Sequence, residues 1–193
     1  MYFKENQMND NPHDRTDPRV STAILTAHPH DGVEMAVREH LPEEIQEIIL
    51  QHHGDSPVLY FYDKAVKLGG DVDVADFRYD GPRPRSREAA IVMMADTIEA
   101  AARAAGDSSP ERLQQLIRKM IHGKLEDGQF DESLLTFSEL SRISDGFLTV
   151  LNGVYHDRIE YPEVSIPNRP PMPRRPWPDA GREPNDEPKR ADA

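Results

Sequence analysis

Apolar residues recur at spacings of three and four from about Ser21 to Tyr161, and no convincing stretch alternates between apolar and polar positions. A period near 3.6 residues is typical of amphipathic helices, whereas alternation is typical of half-buried strands. The pattern therefore predicts an all-α body.

Proline and glycine divide this body into helices. The first segment, "STAILTAH", is predicted to be helical until Pro29 interrupts it, and "HDGVEMAVREH" continues the helix as far as Leu41. The next helix, "PEEIQEIILQHHG", has Pro42 for its first turn and Gly54 for its stop.

Four more helices and a loop follow. "PVLYFYDKAVKLGG" is predicted to be a helix that ends at its glycines, and the loop "DFRYDGPRPRS" leads into a long helix from Arg87 to about Ala105. The last two helices lie in "SSPERLQQLIRKMIHGKL" and "TFSELSRISDGFLTVLNGVYHDRIEY". Each opens with the residues of a capping box, Ser108 with Glu111 and Thr136 with Glu139.

The composition changes after Pro162. Residues 164–193 contain eight of the 17 prolines, six basic and five acidic side chains, and one aromatic residue, Trp177. Such a segment cannot bury enough apolar surface to fold, so we expect a disordered tail rich in proline, arginine and acidic residues. Residues 1–163 are expected to form the folded domain.

Charge and composition exclude several classes of function. The chain has 35 acidic and 23 basic residues, a formal net charge of −12, and no cysteine. The acidic balance argues against duplex nucleic acid as a partner, and an anionic substrate would need local positive charge such as metal ions. The absence of cysteine excludes disulfides and thiolate sites, which agrees with a reducing cytosolic setting. The longest apolar run, "AAIVMMA", is far shorter than the roughly 20 residues of a membrane-spanning helix.

Two adjacent histidines end the helix that begins near Pro42. A buried imidazole must place both ring nitrogens, either on a hydrogen-bond partner such as a backbone carbonyl or on a metal ion. The simpler interpretation is that His52 lies in the core and bonds a backbone carbonyl while His53 is exposed. The two histidines alone do not exclude this interpretation. The predicted inward stripe of this helix is Ile45, Ile48, Ile49 and His52.

Two further polar residues are predicted to face inward. His28 ends "STAILTAH", and Asp96 interrupts the apolar face of the long helix. A carboxylate among apolar side chains is costly unless it is paired or bound to a cation. Asp96 can pair with Arg103 or with another helix, or it can join the histidines in an oxygen and nitrogen shell for iron, manganese or zinc. The other residues of that predicted face are Ala89, Val92, Met93 and Ala100.

Several motifs occur in a fixed order along residues 2–163. They are "ENQ", "NPHD", "LTAHPHDGVEMA", "LPEEIQEIILQHHG", "DFRYDGPRPRSREAAIVMMADTIEAAAR", "KLEDGQFDE" and "GVYHDRIEYP". This order resembles the cytoplasmic HD domain of membrane-anchored seven-transmembrane HD phosphohydrolases of the PgpH type, which hydrolyse cyclic di-AMP. The resemblance implies the HD-domain helical bundle over nearly the whole predicted body.

The resemblance also implies a site. Two divalent transition metal ions, manganese or iron, would share a bridging aspartate and activate water for attack on phosphorus. Three histidines would hold one ion, and an aspartate would help to hold the other. The matching positions here are His28, His52, His53 and Asp96.

The segment before and at the start of the long helix is also a local cationic cluster, with Arg78, Arg83, Arg85 and Arg87. Such an arginine-rich loop is more often a solvated linker, and the alternative is contact with the phosphodiester or an adenine. Arg78 and Tyr79 fall in a matching motif and are therefore the residues predicted for substrate contact.

One part of the family pattern has no counterpart in this chain. The family's His-Asp dyad and a lysine precede the "ENQ" segment, and the His-Asp pairs at 13–14, 30–31 and 156–157 do not align with that dyad. The catalytic groups would then lie upstream of Met1. We therefore expect a bundle truncated at its amino end, part of a longer enzyme whose membrane helices come first. The exposed apolar surface could support a homo-oligomer.

The expected function is metal-dependent hydrolysis of a cyclic dinucleotide, cyclic di-AMP to pApA, incomplete in this chain. The alternative is a catalytically degenerate HD domain that binds a nucleotide or a regulatory partner. In either case the chain by itself would be cytoplasmic. Its full-length parent would place the domain at the cytoplasmic face of the cell membrane.

Overall fold

The computed structural model describes residues 12–69, 71–106 and 109–155. Backbone contacts divide the chain into two units, Met1–His156 and Asp157–Ala193, and every described residue belongs to the first. The predicted tail at 164–193 therefore lies outside the described residues.

The described part of the chain is built from helices, as the sequence predicts. Its only extended pairing is an isolated antiparallel bridge between Pro57 and Arg78. Short 3₁₀ helices occur at Pro12–Asp14 and at Val74–Phe77, where the second one ends inside the start of the predicted loop. The α-helices are α1 (Pro18–Thr26), α2 (His28–Arg38), α3 (Glu43–Gln51), α4 (Leu59–Leu68), α5 (Arg87–Ala105), α6 (Pro110–Glu126) and α7 (Phe137–Tyr155).

The break between the first two helices differs from the prediction. The chain turns at Ala27, and His28 opens α2 instead of ending α1. Pro29 lies in the first turn of α2. A proline is tolerated there because the amide it lacks would have no partner within the helix. The predicted interruption at Pro29 was therefore wrong, since this proline starts a helix.

The end of α2 is also earlier than predicted. The helix stops at Arg38, and His40 adopts a left-handed conformation with φ of 56°. The Leu41 amide then donates to the Ala36 carbonyl, which closes the helix end. The prediction that the helix runs to Leu41 was therefore wrong by one turn.

The predicted capping boxes have different outcomes. The Thr136 amide donates to the Glu139 carboxylate, and the Glu139 amide donates to the Thr136 hydroxyl. These two hydrogen bonds confirm the capping box before α7. The residue that caps α6 is Ser109, and Ser108 lies outside the described residues.

Helix α5 is the centre of the larger core. It packs on α3 and α6, and α6 packs on α7. A smaller apolar cluster joins α1, α4 and the 3₁₀ turn before α5. The larger core contains Ala90, Met93, Met94, Ile98, Ala102, Leu113, Ile117, Ile121, Phe130, Leu140 and Leu151.

Two predicted inward faces are rotated relative to the observed ones. On α5, Val92 is 39% exposed, while Ala90 and Met94 are buried. On α3, Ile45 is 42% exposed, and the buried residue is Gln51, whose side-chain oxygen accepts a hydrogen bond from the Arg85 amide. A spacing of three and four fixes the period of a helix face but leaves its centre uncertain by one residue.

Candidate metal centre

His28 is oriented by the end of the preceding helix. Its Nδ1 lies 2.6 Å from the backbone carbonyl oxygen of Leu25, in the last turn of α1. A carbonyl oxygen can only accept a hydrogen bond, so Nδ1 must carry the ring hydrogen. The Nε2 atom of a neutral His28 is then left with a lone pair.

His52 repeats this arrangement at the end of α3. It is the capping residue of that helix, and its Nδ1 donates to the Ile49 carbonyl oxygen at 2.6 Å. The partner again lies three residues earlier in the chain. Two histidines from different helices therefore have the same tautomer, with Nε2 as the lone-pair nitrogen.

The three Nε2 atoms of this cluster converge. The Nε2 atoms of His28 and His52 lie 3.1 Å apart, and that of His53 lies 3.0 Å from His28. With both Nδ1 hydrogens used on carbonyls, His28 and His52 present lone pairs to each other, which is unfavourable unless a cation lies between them. Metal–nitrogen bonds of roughly 2.0–2.1 Å place two ligands of one ion about 3.0–3.4 Å apart. The donors present therefore fit a divalent transition metal.

His53 is held in its neutral form. Burial lowers its pKa from 6.5 to about 2, and the nearby His52, His28 and Lys124 act in the same direction. A neutral imidazole keeps a lone pair for a metal at physiological pH. Asp96 lies on the other side of this ring, with its Oδ2 3.8 Å from Nδ1 of His53. The carboxylate favours a hydrogen on Nδ1 and thus the lone pair on Nε2.

These residues line one open cavity of about 460 Å³. The structure thus brings together the four residues predicted as metal ligands. Asp96 lies at the edge of the α5 core with its side chain 42% exposed, so its charge is partly solvated instead of buried. The cavity is lined by His28, Asp31, Gly32, Met35, His52, His53 and Asp96.

Tyr79 lies behind the histidines. Its ring stacks on His53 with centroids 4.3 Å apart and an interplanar angle of 18°, and it meets His28 edge-on at 5.8 Å. The residue is buried. Tyr79 thus packs against two rings of the cluster.

Arg78 does not line the cavity of the histidines. Its guanidinium bonds the Asp127 carboxylate, with Nη2 2.6 Å from Oδ1, and the Asp55 backbone carbonyl oxygen at 2.7 Å. Three more arginines, two in the segment before α5 and one at its first residue, are also paired with carboxylates. Their partners are Asp55 and Asp131 for Arg83, Glu132 for Arg85 and Glu139 for Arg87.

A turn directly after the histidines fixes their position. Gly54 has φ of +55°, and a Cβ there would lie 2.2 Å from Oε1 of Gln129. Next to it, Asp55 accepts hydrogen bonds from Arg83 and Gln129. Burial acts to raise the pKa of Asp55, but these hydrogen bonds outweigh it and hold the pKa below its ordinary value. The turn therefore requires glycine and a charged aspartate.

Two polar residues near the centre were not predicted. Asp31 lies one turn after His28 in α2 and faces the same cavity, a relationship visible in the spacing of three residues. Lys124, in the "KLEDGQFDE" motif, donates to the Ser56 hydroxyl at 2.7 Å. Its contribution to the pKa of His53 follows from tertiary packing of α6, which the local sequence does not reveal.

The chain is similar to proteins of known type. A sequence model described as the HD domain matches residues 8–101. The cyclic-di-AMP phosphodiesterase PgpH of Bacillus subtilis is 47% identical over 166 residues, which are 86% of this chain and 23% of that protein. Its namesake in Listeria monocytogenes is 42% identical over 84% of this chain and 23% of that protein. The chain thus spans about a quarter of the length of these relatives.

A solved structure agrees in fold. The crystal structure of the Listeria monocytogenes phosphodiesterase PgpH HD domain in complex with cyclic-di-AMP superposes with a TM-score of 0.76 at 42% identity. The match covers 83% of this chain and 74% of that one. Among the described residues, no helix is both long enough and apolar enough to cross a bilayer.

Proposed function

Because the chain belongs to the HD-domain family, we propose that it carries the histidine-rich part of a metal centre that hydrolyses cyclic di-AMP to pApA. The observation that carries this proposal is the convergence of three histidine Nε2 atoms, with two of the rings locked by backbone carbonyls. The similar proteins named as cyclic-di-AMP phosphodiesterases support the choice of substrate.

The proposed ligands are the four residues that meet in the cavity. His28, His52 and His53 hold one ion through Nε2, and Asp96 contributes to a second, with manganese or iron as the metals. Such ions supply Lewis acidity at a phosphoryl oxygen and lower the pKa of water. They also supply the positive charge that a chain of net charge −12 needs in order to accept a phosphodiester.

The protein's own residues prepare the centre before a metal arrives. The Leu25 and Ile49 carbonyls keep the Nδ1 hydrogens of His28 and His52 on the far side of each ring. Burial keeps His53 neutral, so no proton competes with the metal for its Nε2 near pH 7. Tyr79 restrains the plane of His53 through their stack. The ligand nitrogens are thereby preorganised.

The roles of Arg78 and Tyr79 at the substrate stay predictions. A substrate contact by Arg78 would have to share a guanidinium that already bonds Asp127 and Asp55. Arg78→Lys keeps the charge and loses the bidentate geometry. A rise in KM with unchanged melting temperature would support substrate contact, whereas a lowered melting temperature alone would assign Arg78 to the fold. We also place the domain at the cytoplasmic face of a membrane, as the family resemblance implies.

The test combines metal content with turnover. The purified chain, stripped with chelator and reloaded with Mn²⁺ or Fe²⁺, should retain metal after desalting. His52→Ala should retain much less, while His122→Ala, which changes an exposed histidine of α6, should match the parent. A well-folded parent that retains no transition metal would overturn the proposal.

Turnover is measured on this chain and on a chimera that places the amino-terminal part of the Listeria HD domain ahead of it. We expect metal-dependent release of pApA from cyclic di-AMP by the chimera and its loss in the His52→Ala chimera. Binding of cyclic di-AMP without hydrolysis by both proteins would instead support a degenerate binding domain.

A further inference from the structure

His53 lacks the backbone contact that orients the other two histidines. Nδ1 of His28 and Nδ1 of His52 each donate to a carbonyl oxygen at 2.6 Å. Among the described residues, no carbonyl oxygen accepts from the ring of His53, and its Nδ1 lies 3.8 Å from Asp96, beyond hydrogen-bond distance. The direction of its Nε2 is therefore set by the turn that carries it and by the stacked ring of Tyr79.

The end of α6 holds that turn through Gln129. The amide of Gln129 donates to the Lys124 carbonyl oxygen at 3.0 Å, and its side chain is fully buried. Its Nε2 donates to Oδ1 of Asp55 at 2.5 Å and to Oδ2 of Asp127 at 2.8 Å. Both hydrogens of the side-chain amide are thus used on carboxylates. A reversed amide would place its oxygen against two carboxylates, so the orientation is fixed.

The oxygen of the same amide faces Gly54. A Cβ at Gly54 would lie 2.2 Å from Oε1 of Gln129, and no described residue donates a hydrogen bond to this buried oxygen. A buried acceptor without a donor costs free energy, whereas a methionine would fill a similar volume without that cost. Stability alone therefore explains Gln129 poorly, and such local costs are expected at functional sites.

The carboxylate that Gln129 bonds lies close to His53 in the chain. Asp55 is two residues after His53, and the next amide, that of Ser56, donates to the His53 carbonyl oxygen at 3.1 Å. The Ser56 carbonyl oxygen accepts from the amide of Tyr79 at 3.1 Å, so the stacked ring is attached to the same turn. A displaced Asp55 would shift the His53 backbone and its stacking partner together.

We propose that Gln129 is a positioning residue of the metal centre. Its amide fixes Asp55 relative to the end of α6, and Asp55 fixes the turn that directs Nε2 of His53 towards the ion. The inference rests on the proposed function for the presence of the ion. If Gln129 served the fold alone, its removal would change metal affinity only as far as it changes stability.

The test compares affinity for Mn²⁺ with stability. The variant is Gln129→Met, which keeps the approximate volume of the side chain and removes both hydrogen bonds. Gln115→Met makes the same change at an exposed glutamine of α6, and Ile117→Val removes one methyl group from the core that α6 shares with α5. Competition with a fluorescent chelator gives the Mn²⁺ affinity, and the melting temperature is measured in chelator.

We expect Gln129→Met to weaken Mn²⁺ binding at least about tenfold, the usual cost of removing an outer partner of a metal ligand. Both controls should bind Mn²⁺ within about twofold of the parent, as substitutions remote from the ligands do. If Gln129→Met does not fold, Gln129→Asn replaces it, because that amide is one methylene too short to reach both carboxylates.

A double-mutant cycle identifies the route of the effect. Asp55→Ala removes the carboxylate through which Gln129 is proposed to act. The double variant Asp55→Ala with Gln129→Met should bind Mn²⁺ within about twofold of Asp55→Ala alone, since residues of one network have non-additive effects. Independent effects would instead multiply.

A measurement without metal reports on the ring itself. In chelator, the carbon-bound ring protons of His53 lie against the face of Tyr79 and should show its ring-current shift in the NMR spectrum. Gln129→Met should move these resonances, whereas Gln115→Met and Ile117→Val should leave them in place.

Three outcomes overturn the inference. They are a Mn²⁺ affinity of Gln129→Met within about twofold of the parent, an equal loss of affinity in Ile117→Val, and multiplied effects in the cycle. Failure of the proposed function has a different signature, because the parent itself then retains no metal. In that case the His53 resonances in chelator decide, and resonances left unchanged by Gln129→Met overturn the positioning role.

Discussion

The ring of Tyr79 lies nearly parallel to that of His53, with their centroids 4.3 Å apart. The tyrosine belongs to the segment before α5 and the histidine to the turn after α3, so the contact joins two parts of the chain 26 positions apart. A stacked aromatic limits rotation of the imidazole, which is the role that outer residues play around metal ligands.

The first prediction concerns this stack. Tyr79→Ala should lower affinity for Mn²⁺ by about 10–100-fold, the usual cost of removing a residue that orients a ligand. Tyr79→Phe keeps the ring and should bind the metal like the parent. Titration of both variants against a fluorescent chelator measures this difference. Equal affinities of the parent and Tyr79→Ala for Mn²⁺ would show that the stack does not contribute to metal binding.

The second prediction concerns the turn after the histidines. Gly54→Ala forces a left-handed conformation on alanine and brings Cβ to 2.2 Å from Gln129. We expect a loss of at least about 1–3 kcal/mol of unfolding free energy, together with weaker metal binding, because His53 precedes this residue. Urea denaturation measures the first effect.

Gly146→Ala is the matched control for that substitution. Gly146 lies within α7, and a Cβ there has nothing within 4 Å. Alanine should therefore stabilise the protein by about 0.5–1 kcal/mol through its higher helix propensity. A similar loss at both glycines would contradict the steric argument.

The third prediction follows from the low pKa of His53. Between pH 6.5 and about 2 the unfolded chain binds a proton at this residue and the folded chain does not. Stability from this residue is therefore present above pH 6.5 and is lost as the pH falls. The melting temperature in chelator should fall more steeply between pH 7 and 5 for the parent than for His53→Gln.

The exposed His122 provides a control for this slope. It lies on α6 beside Glu126, and its side chain is 70% exposed. His122→Gln removes a histidine that does not line the metal cavity, so its melting curve gives the effect of losing a histidine at the surface. Parallel slopes for the parent and His53→Gln would mean that folded His53 accepts the proton in this range.

The fourth prediction separates two ion pairs of the arginine-rich segment. Arg78→Met should cost about 1–3 kcal/mol, because the Arg78–Asp127 pair is largely shielded and Asp127 would be left without its cation. Arg85→Met removes the exposed pair with Glu132 and should change the unfolding free energy by less than about 1 kcal/mol. Chemical denaturation of both variants gives the comparison, and equal losses would contradict it.

Much of the fold follows from the local sequence. The extent of α5, from Arg87 to Ala105, was predicted correctly because Ser86, the apolar period and Gly106 mark its two ends and its interior. The break at Ala27 was missed because a proline both stops one helix and starts another, and only packing decides between them.

The candidate centre was predictable for a different reason. Adjacent histidines at a helix end and an aspartate on an apolar face are locally anomalous, and the order of motifs resembles one family. The stack of Tyr79 on His53 and the bond from Lys124 to Ser56 could not be predicted, since they join residues 26 and 68 positions apart. Such contacts depend on the angles between helices, which periodicity does not encode.

The carbonyl partners of His28 and His52 belong to the final turns of α1 and α3. Fraying at either helix end would release an imidazole to rotate, so ion capture and order in these two turns are thermodynamically linked. A bound ion would link two helix termini that are distant in the chain. The affinity for the ion would then depend on whether the final turns of α1 and α3 are folded, although their backbone does not contact the ion.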